Sequence, residues 1–342
     1  MRRLSRAGDP GEHVMRFGHR CIAAFLSLVS AAALTGMPVM GPPAQAAIVD
    51  LEIVVPAAPG GGYDLTARAM QAALTAARLL PNVTIAYEPG RGGVLALDKL
   101  HNEWRADEAI VMTTGFVMLG AVSAARAGKL LDRVMPVALL TTEPELIVVP
   151  KASPYKTLIE LLAAVRATPG AVAFAGGSSG GIDHILIGLI GAQIGVSPAL
   201  MPYLPHAGGG DALVTLLRGQ ATAAVGGVSE FLPSLRDGRV RALAVSGNLR
   251  AANVDAPTLT QAGIPLNILN WRGLIAPPDV SRAHQRELGL LMGKMIKTPQ
   301  WQASLRQYGW TDQFLPDERF GDYFKAEQKK IDTAVQALRL GP

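Results

Sequence analysis

Along this chain, short apolar runs alternate with longer stretches whose apolar positions recur every three or four residues. Leu51-Glu-Ile-Val-Val-Pro56 reads as a short buried strand, broken by Gly60, Gly61 and Gly62. Asp64 then precedes Leu65–Leu74, which is apolar at helical spacing. Val83–Tyr87 is a second strand, followed by Pro89-Gly-Arg-Gly-Gly93 and a helix to about Leu100; Ala109–Thr113 is a third strand. Such strand–loop–helix repetition predicts an α/β fold with mainly parallel sheets flanked by helices.

Val137–Pro150 breaks the rhythm with two extended segments in succession. It reads as the chain passing from one domain to another. Beyond it, Ser153–Thr157 caps a helix from Leu158 to about Ala167, and Ala171–Ala175 is a strand. A helix follows from Ile182, with apolar positions at Ile185, Leu186, Leu189 and Ile190. Residues 202–225 form another unit, with a helix over Ala212–Arg218. Val240–Ser246 is the strand that brings the chain back, and Trp271–Pro277 is a late strand. Two helical segments, about 281–297 and 317–338, finish the chain.

Small-residue loops follow five of these strands. They are Gly60–Asp64, Thr114–Phe116, Gly177–His184, His206–Asp211 and Gly226–Glu230. Glycine lets backbone N–H groups approach a ligand closely, and a helix N-terminus favours negative charge. Two such loops facing each other from separate domains would grip both ends of a dicarboxylate or tricarboxylate. His184 and His206 each sit beside a glycine loop; they line a pocket or pack the loop. Asp64 and Asp183 stand at helix starts, where capping is the common use of Asp. Arg272 either contacts an anion or pairs with an acid.

The N-terminal region changes the picture of where this happens. Arg2, Arg3, Arg6, Arg16 and Arg20 precede the apolar run Cys21–Leu34, and Ala44-Gln45-Ala46 follows. These are the parts of an export signal peptide over residues 1–46, with Met15 as an alternative start. The run is short for a bilayer span. The sole cysteine, Cys21, would leave with it. The 342-residue chain has 32 lysines and arginines against 27 acids, but residues 1–46 hold five of the arginines and only Asp9 and Glu12. The remainder is net +2, which is no nucleic-acid footprint. Its length, roughly 295 residues, makes two domains the expected number.

Other chemistries fit less well. There is no phosphate-binding loop ending in Gly-Lys-Ser/Thr, and Leu65 stands where a dinucleotide fingerprint needs its third glycine. Gly177-Ser-Ser-Gly-Gly181 satisfies Gly-x-Ser-x-Gly between a strand and a helix, so Ser179 is a candidate nucleophile. Asp237 or Asp255, then His284, would complete the order. His284, however, reads as an exposed helix start, and no oxyanion segment precedes the serine. His101, His184, His206 and His284 lack metal-ligand spacing. No catalytic residue, cofactor or metal is called for.

The ordered set of motifs resembles the extracytoplasmic receptors of the tripartite tricarboxylate transporter family, also called Bug receptors, and is most similar to the tricarboxylate-binding (TctC-like) branch. The matching residues are Val55-Pro-Ala-Ala-Pro-Gly-Gly-Gly-Tyr-Asp-Leu-Thr-Ala-Arg68, Pro89–Gly93, Glu145-Leu-Ile-Val-Val-Pro150 and Ser153–Thr157. Gly176–His184, Gly208–Ala212, Arg241–Ser246 and Asn270–Pro278 continue the series, so that it covers nearly all of residues 50–335. The resemblance implies a two-domain type II periplasmic binding fold, a Venus flytrap. Domain 1 would hold 47–142 and 246–342, and domain 2 would hold 143–245. It further implies a periplasmic receptor that traps a citrate-like di- or tricarboxylate in the interdomain cleft and passes it to membrane permease subunits. A receptor presenting the ligand to a sensory kinase would use the same fold. Carried over by position, the ligand-binding residues of the first domain are Gly61, Gly62, Tyr63 and Asp64, with Gly115 and Phe116 nearby. Those of the second are Ser178, Ser179, Gly180, His184, Gly208 and Gly209, while Ser229 and Glu230 stand where the cleft closes. Arg91 and Pro205-His206-Ala207 depart from the family pattern and bear on ligand choice.

Overall fold

The computed structural model describes residues 48–340 apart from Leu249 and Ala252, so the leader expected over 1–46 and its cysteine lie outside the described residues. The chain opens with β1 (Asp50–Val55), α1 (Gly62–Ala76), β2 (Asn82–Tyr87), α2 (Val94–Asn102), β3 (Ile110–Gly115) and α3 (Phe116–Ala124). β1 pairs in parallel with both β2 and β3. These strands are rich in β-branched residues and β3 is buried along its whole length.

A single 16-residue strand, β4 (Met135–Pro150), then runs through the middle of the molecule. The two extended segments read from the sequence are this one strand. Its first part pairs with β9 (Leu269–Ala276) and β10 (Thr311–Pro316), and its last part with β7 (Ala223–Gly227) and β8 (Val240–Val245). Between Val149 and the return to β9 lie α4 (Leu158–Ala167), β5 (Phe174–Gly176), α5 (Ile182–Gln193), β6 (Tyr203–Pro205), α6 (Gly209–Leu217) and α7 (Val228–Arg236). β5 pairs in parallel with β6 and β7.

The sheets are therefore mixed, where mainly parallel ones were expected. Parallel pairing holds at the outer flanks, where helices make the crossovers. It gives way at the centre because β9, arriving from the second half of the fold, inserts antiparallel between β3 and β4. The last segment also differs. Helix α9 (Pro299–Tyr308) and β10 separate α8 (Arg282–Met295) from α10 (Asp317–Leu338). Thr298 caps α9 and Pro299 occupies its first turn, a start signal that a short helix makes easy to overlook.

The core follows the sheets. One apolar cluster surrounds β1, β3, the first part of β4 and β9; two smaller ones cover the two faces around the last part of β4. Trp271 on β9 is fully buried and meets Phe320, Tyr323 and Phe324 of α10 edge-on, with ring centroids 5.7–6.0 Å apart. Leu338, at the far end of α10, packs on Gly188 of α5. The C-terminal helix thus touches both halves. Among the described residues, no helix is long and apolar enough to cross a membrane.

Phe320 is fully buried at this junction. Phe320→Ala removes an aromatic ring from a packed site and is expected to cost about 3–5 kcal/mol. Urea unfolding followed by circular dichroism measures it, and a loss below about 1 kcal/mol would contradict this packing.

Candidate functional site

A cavity of about 680 Å³ lies between the glycine loops of the two halves, within the usual size range for small-ligand sites. From the first half, α1 points its N-terminus at the cavity. Gly61 caps the helix without any side-chain acceptor, so its first N–H groups have no intrahelical partner and face the opening. Gly62 lies so close to the Arg272 guanidinium that a Cβ would collide with it. Tyr63 lines the wall, and its hydroxyl accepts the Met118 N–H at 3.1 Å, which ties α1 to α3.

Asp64 turns away from the cavity. It accepts the Gly60 N–H at 2.8 Å and the Tyr87 hydroxyl at 2.6 Å, and it pairs with Arg68. Burial alone would raise its pKa, but these donors outweigh burial and hold it below the ordinary value. Its work is to shape the loop. Gly115 and Phe116 are buried behind the cavity and do not line it; a Cβ on Gly115 would strike the Trp271 carbonyl.

From the second half, Ser178 and Ser179 line the cavity ahead of α5. Gly180 has φ +77° and packs against α3 at Gly120 and Ala124, leaving no room for a side chain. His184 accepts the Gly180 N–H at Nδ1, 3.1 Å away, and stacks on Tyr203 at 4.2 Å. Burial lowers its pKa, so the ring is neutral and braces the loop from behind. Gly208 caps α6, again without a side-chain acceptor, and Gly208 and Gly209 line the cavity. A Cβ on Gly208 would lie 3.8 Å from the Gly61 Cα, so the N-termini of α1 and α6 nearly meet. His206 also lines the cavity. Its Nδ1 donates to the Leu204 carbonyl at 2.8 Å and its Nε2 accepts the Thr215 hydroxyl at 2.7 Å.

Beneath these loops lies a charged cluster that the reading of the sequence largely missed. Arg272 is 3% exposed and forms an ion pair with the fully buried Glu143. Glu143 also accepts the Ser229 N–H at 3.0 Å and the Ser229 hydroxyl at 3.2 Å. Ser229 is thus committed to Glu143 and does not line the cavity. Glu230 accepts the N–H groups of Gly209 at 3.0 Å and Gly227 at 3.1 Å, with its remaining face open to the cavity. Asp183 accepts the Gly177 N–H at 2.6 Å. Glu145 is fully buried and lies beside Asp183.

Burial is the main force on these carboxyls. It lifts Glu230 to about 7 and Asp183 to about 6, and the N–H donors only partly offset it. Glu145 rises well above the ordinary range through burial and then the charges of Asp183, Glu143 and Glu230. One signal was available. Glu143 and Glu145 stand two apart in a largely apolar strand, which puts both on one face of β4. The serine nucleophile reading finds no such support. Ser179 lines the cavity, whereas His284 sits on α8, 3.7 Å from Glu108 and outside the cavity lining.

Arg272→Met leaves the buried Glu143 carboxyl without its cationic partner. A loss of about 3–5 kcal/mol in urea unfolding is expected. The double variant Glu143→Gln/Arg272→Met should recover most of that loss; equal losses in the two would show that the ion pair is not what the single substitution breaks.

A profile described as the tripartite tricarboxylate transporter family receptor (TctC) matches residues 66–340. The chain is similar to Protein BugT of Bordetella pertussis, 28% identical over 232 residues, or 66% of this chain and 70% of BugT. It is also similar to a protein from the tcbD-tcbE intergenic region of a Pseudomonas strain, 27% identical over 291 residues, 84% and 85% of the two chains. Among solved structures, MatC from Rhodopseudomonas palustris with bound malate aligns at TM-score 0.73 and 25% identity, covering 84% of this chain and 99% of that one. The periplasmic binding protein BugD aligns at TM-score 0.76 over 85% and 98%; at 18% identity that likeness speaks for the fold.

Proposed function

The chain belongs to the tripartite tricarboxylate transporter receptor family, a family of periplasmic solute-binding receptors, and from that premise we propose that it captures a small di- or tricarboxylate in its cavity and hands it to the transporter's membrane permease. One observation carries this reading. The glycine-capped N-termini of α1 and α6, from opposite halves of the fold, meet over one cavity, and neither capping glycine has a side chain to fill it. α1 presents backbone N–H groups and the positive end of its dipole to a carboxylate, and α6 adds the positive end of its own dipole, with Glu230 on its first N–H. The malate in the R. palustris relative supports the ligand class.

In this reading Gly61, Gly62, Tyr63, Ser178, Ser179, Gly208 and Gly209 touch the ligand or the water around it. Asp64, Gly180, His184, Gly115, Phe116 and Ser229 hold those contacts in place. The two lobes are residues 47–142 with 246–342, and 143–245; the passage of β4 from one set of strands to the other supports that division. Capture shifts the population toward the arrangement in which the lobes meet, so the ligand must bind that arrangement better. Residues 1–46 direct export, and the permease recognises the loaded form.

Calorimetric titration of ligand-free protein with malate, succinate, citrate and their amino-substituted counterparts tests the reading. Saturable one-to-one binding to at least one of them is expected. Gly61 has φ −88° and ψ 177°, which any residue adopts, and the only atom near its Cβ position is a Glu230 oxygen at 3.9 Å. Gly61→Val should therefore fold normally while filling the mouth of the cavity, and weaken binding at least tenfold, about 1.4 kcal/mol. Unchanged affinity in that variant would place the ligand elsewhere.

A further inference from the structure

The seat for an anion at the start of α6 is already taken by the protein itself. Glu230 accepts the Gly209 N–H, the first of that helix, and its Oε1 lies 3.6 Å from the Cβ position of Gly208 and 3.9 Å from that of Gly61. It therefore stands between the two helix N-termini that meet over the cavity. Asp183 likewise occupies the Gly177 N–H. Both carboxyls line the cavity, and Glu143 and Glu145 lie behind them. Against these four acids stand two cations in the lining, Arg272 and the exposed Arg91.

Arg272 supplies the complementary observation. Its guanidinium is buried and lines the cavity; one edge pairs with Glu143, yet Nη1 has no hydrogen-bond partner. A buried N–H without an acceptor is costly, and the guanidinium as a whole lines the cavity, where a ligand carboxylate would meet its charge. The cavity thus offers a carboxylate seat at Arg272 and α1, and a negative wall at Glu230 and Asp183. A ligand with carboxylates alone would bring like charge against that wall at close range.

We propose that Glu230 is the specificity-determining residue of this cavity, selecting carboxylates that also carry an ammonium group and placing that group against its own carboxylate. The proposal rests on the carboxylate-receptor reading and names the substrate class within it: amino-carboxylates, with plain di- and tricarboxylates disfavoured at alkaline pH. The groups facing Glu230 are Arg272 on β9, Asp183 on α5, Glu143 and Glu145 on β4, and Tyr203 on β6, with the N–H groups of Gly209 and Gly227 bonded to it. Burial and the acids among them lift its carboxyl to about 7, so a plain diacid can bind by taking up a proton there. Its affinity then falls as pH rises through 7. An ammonium-bearing ligand needs no such proton and keeps its affinity on the alkaline side.

Two ligand pairs, succinate with aspartate and glutarate with glutamate, differ only in the ammonium group. Each is titrated calorimetrically into the ligand-free protein at pH 6 and pH 8. At pH 8 at least one amino member is expected to bind ten times tighter or more than its plain partner, with the gap narrowing at pH 6. Glu230→Gln should remove most of the gap at pH 8. If that variant does not fold, the two-pH comparison in the unsubstituted protein still decides. Plain diacids binding as tightly as their amino partners at pH 8, or a gap that Glu230→Gln leaves intact, overturns the assignment of Glu230 while leaving the carboxylate-receptor reading in place. No binding by any of the four, nor by malate or citrate, overturns both.

Discussion

The ion pair between Arg272 and Glu143 holds the cavity floor together. Two charges taken out of water do not stabilise a fold unless nearly all their hydrogen-bonding capacity is met. Here Glu143 meets its share through Arg272 and both donors of Ser229, and the guanidinium of Arg272 lies 5.8 Å from the Trp310 ring. The pair therefore fixes three elements at once. Glu143 belongs to β4, Arg272 to β9 and Ser229 to the first turn of α7. It sits where β4 leaves one set of partner strands for the other, so the floor of the cavity and the crossing of the chain are held by the same charges.

Above that floor, the constraint is space. Gly62 exists because Arg272 fills the volume a side chain would need, and Gly180 because α3 presses on it at Gly120. The second contact brings backbone against backbone across the two halves. Small residues on both sides let the loops come close enough for α1 and α6 to share one cavity. Side chains of ordinary size at Gly120 and Gly180 would hold them apart, and N–H groups that reach a small ligand together would each face open water instead.

The fold was readable because it rests on local patterns. Runs such as Leu51–Val55 and helical spacing such as Ile182, Ile185 and Leu186 mark elements within a few residues of their observed bounds. The order of pairing was less so, since β9 reaches its place between β3 and β4 from more than 150 residues away. The glycine loops were legible as close-approach loops at strand–helix junctions, and Gly61, Gly62, Gly208 and Gly209 of those loops line one cavity. The charged floor was not. Glu143, Glu145, Asp183, Glu230 and Arg272 are scattered over 130 residues, and each taken alone has a bland reading as a cap or a surface charge. Only folding reveals that four acids share one arginine. Asp64 shows the reverse: its position in a glycine motif suggests ligand contact, while its bonds to Gly60, Arg68 and Tyr87 give it a scaffolding task.

An acid-rich floor under anion-seeking helix ends is consistent once the two kinds of group are assigned different work. Helix N-termini buried without an acceptor are unfavourable, and a protein that must also exist without ligand needs something to occupy some of them. Glu230 of α7 does this for Gly209 at the start of α6, and Asp183 of α5 takes the Gly177 N–H of the loop that leads into its own helix. The N-terminus of α1 is left without a side-chain cap at the cavity, and Nη1 of Arg272 without a protein acceptor. The binding surface is then not a uniformly positive cup. It has one end that lacks negative charge and another that already holds it, the polarity that the proposed ammonium-bearing carboxylate would match along its length.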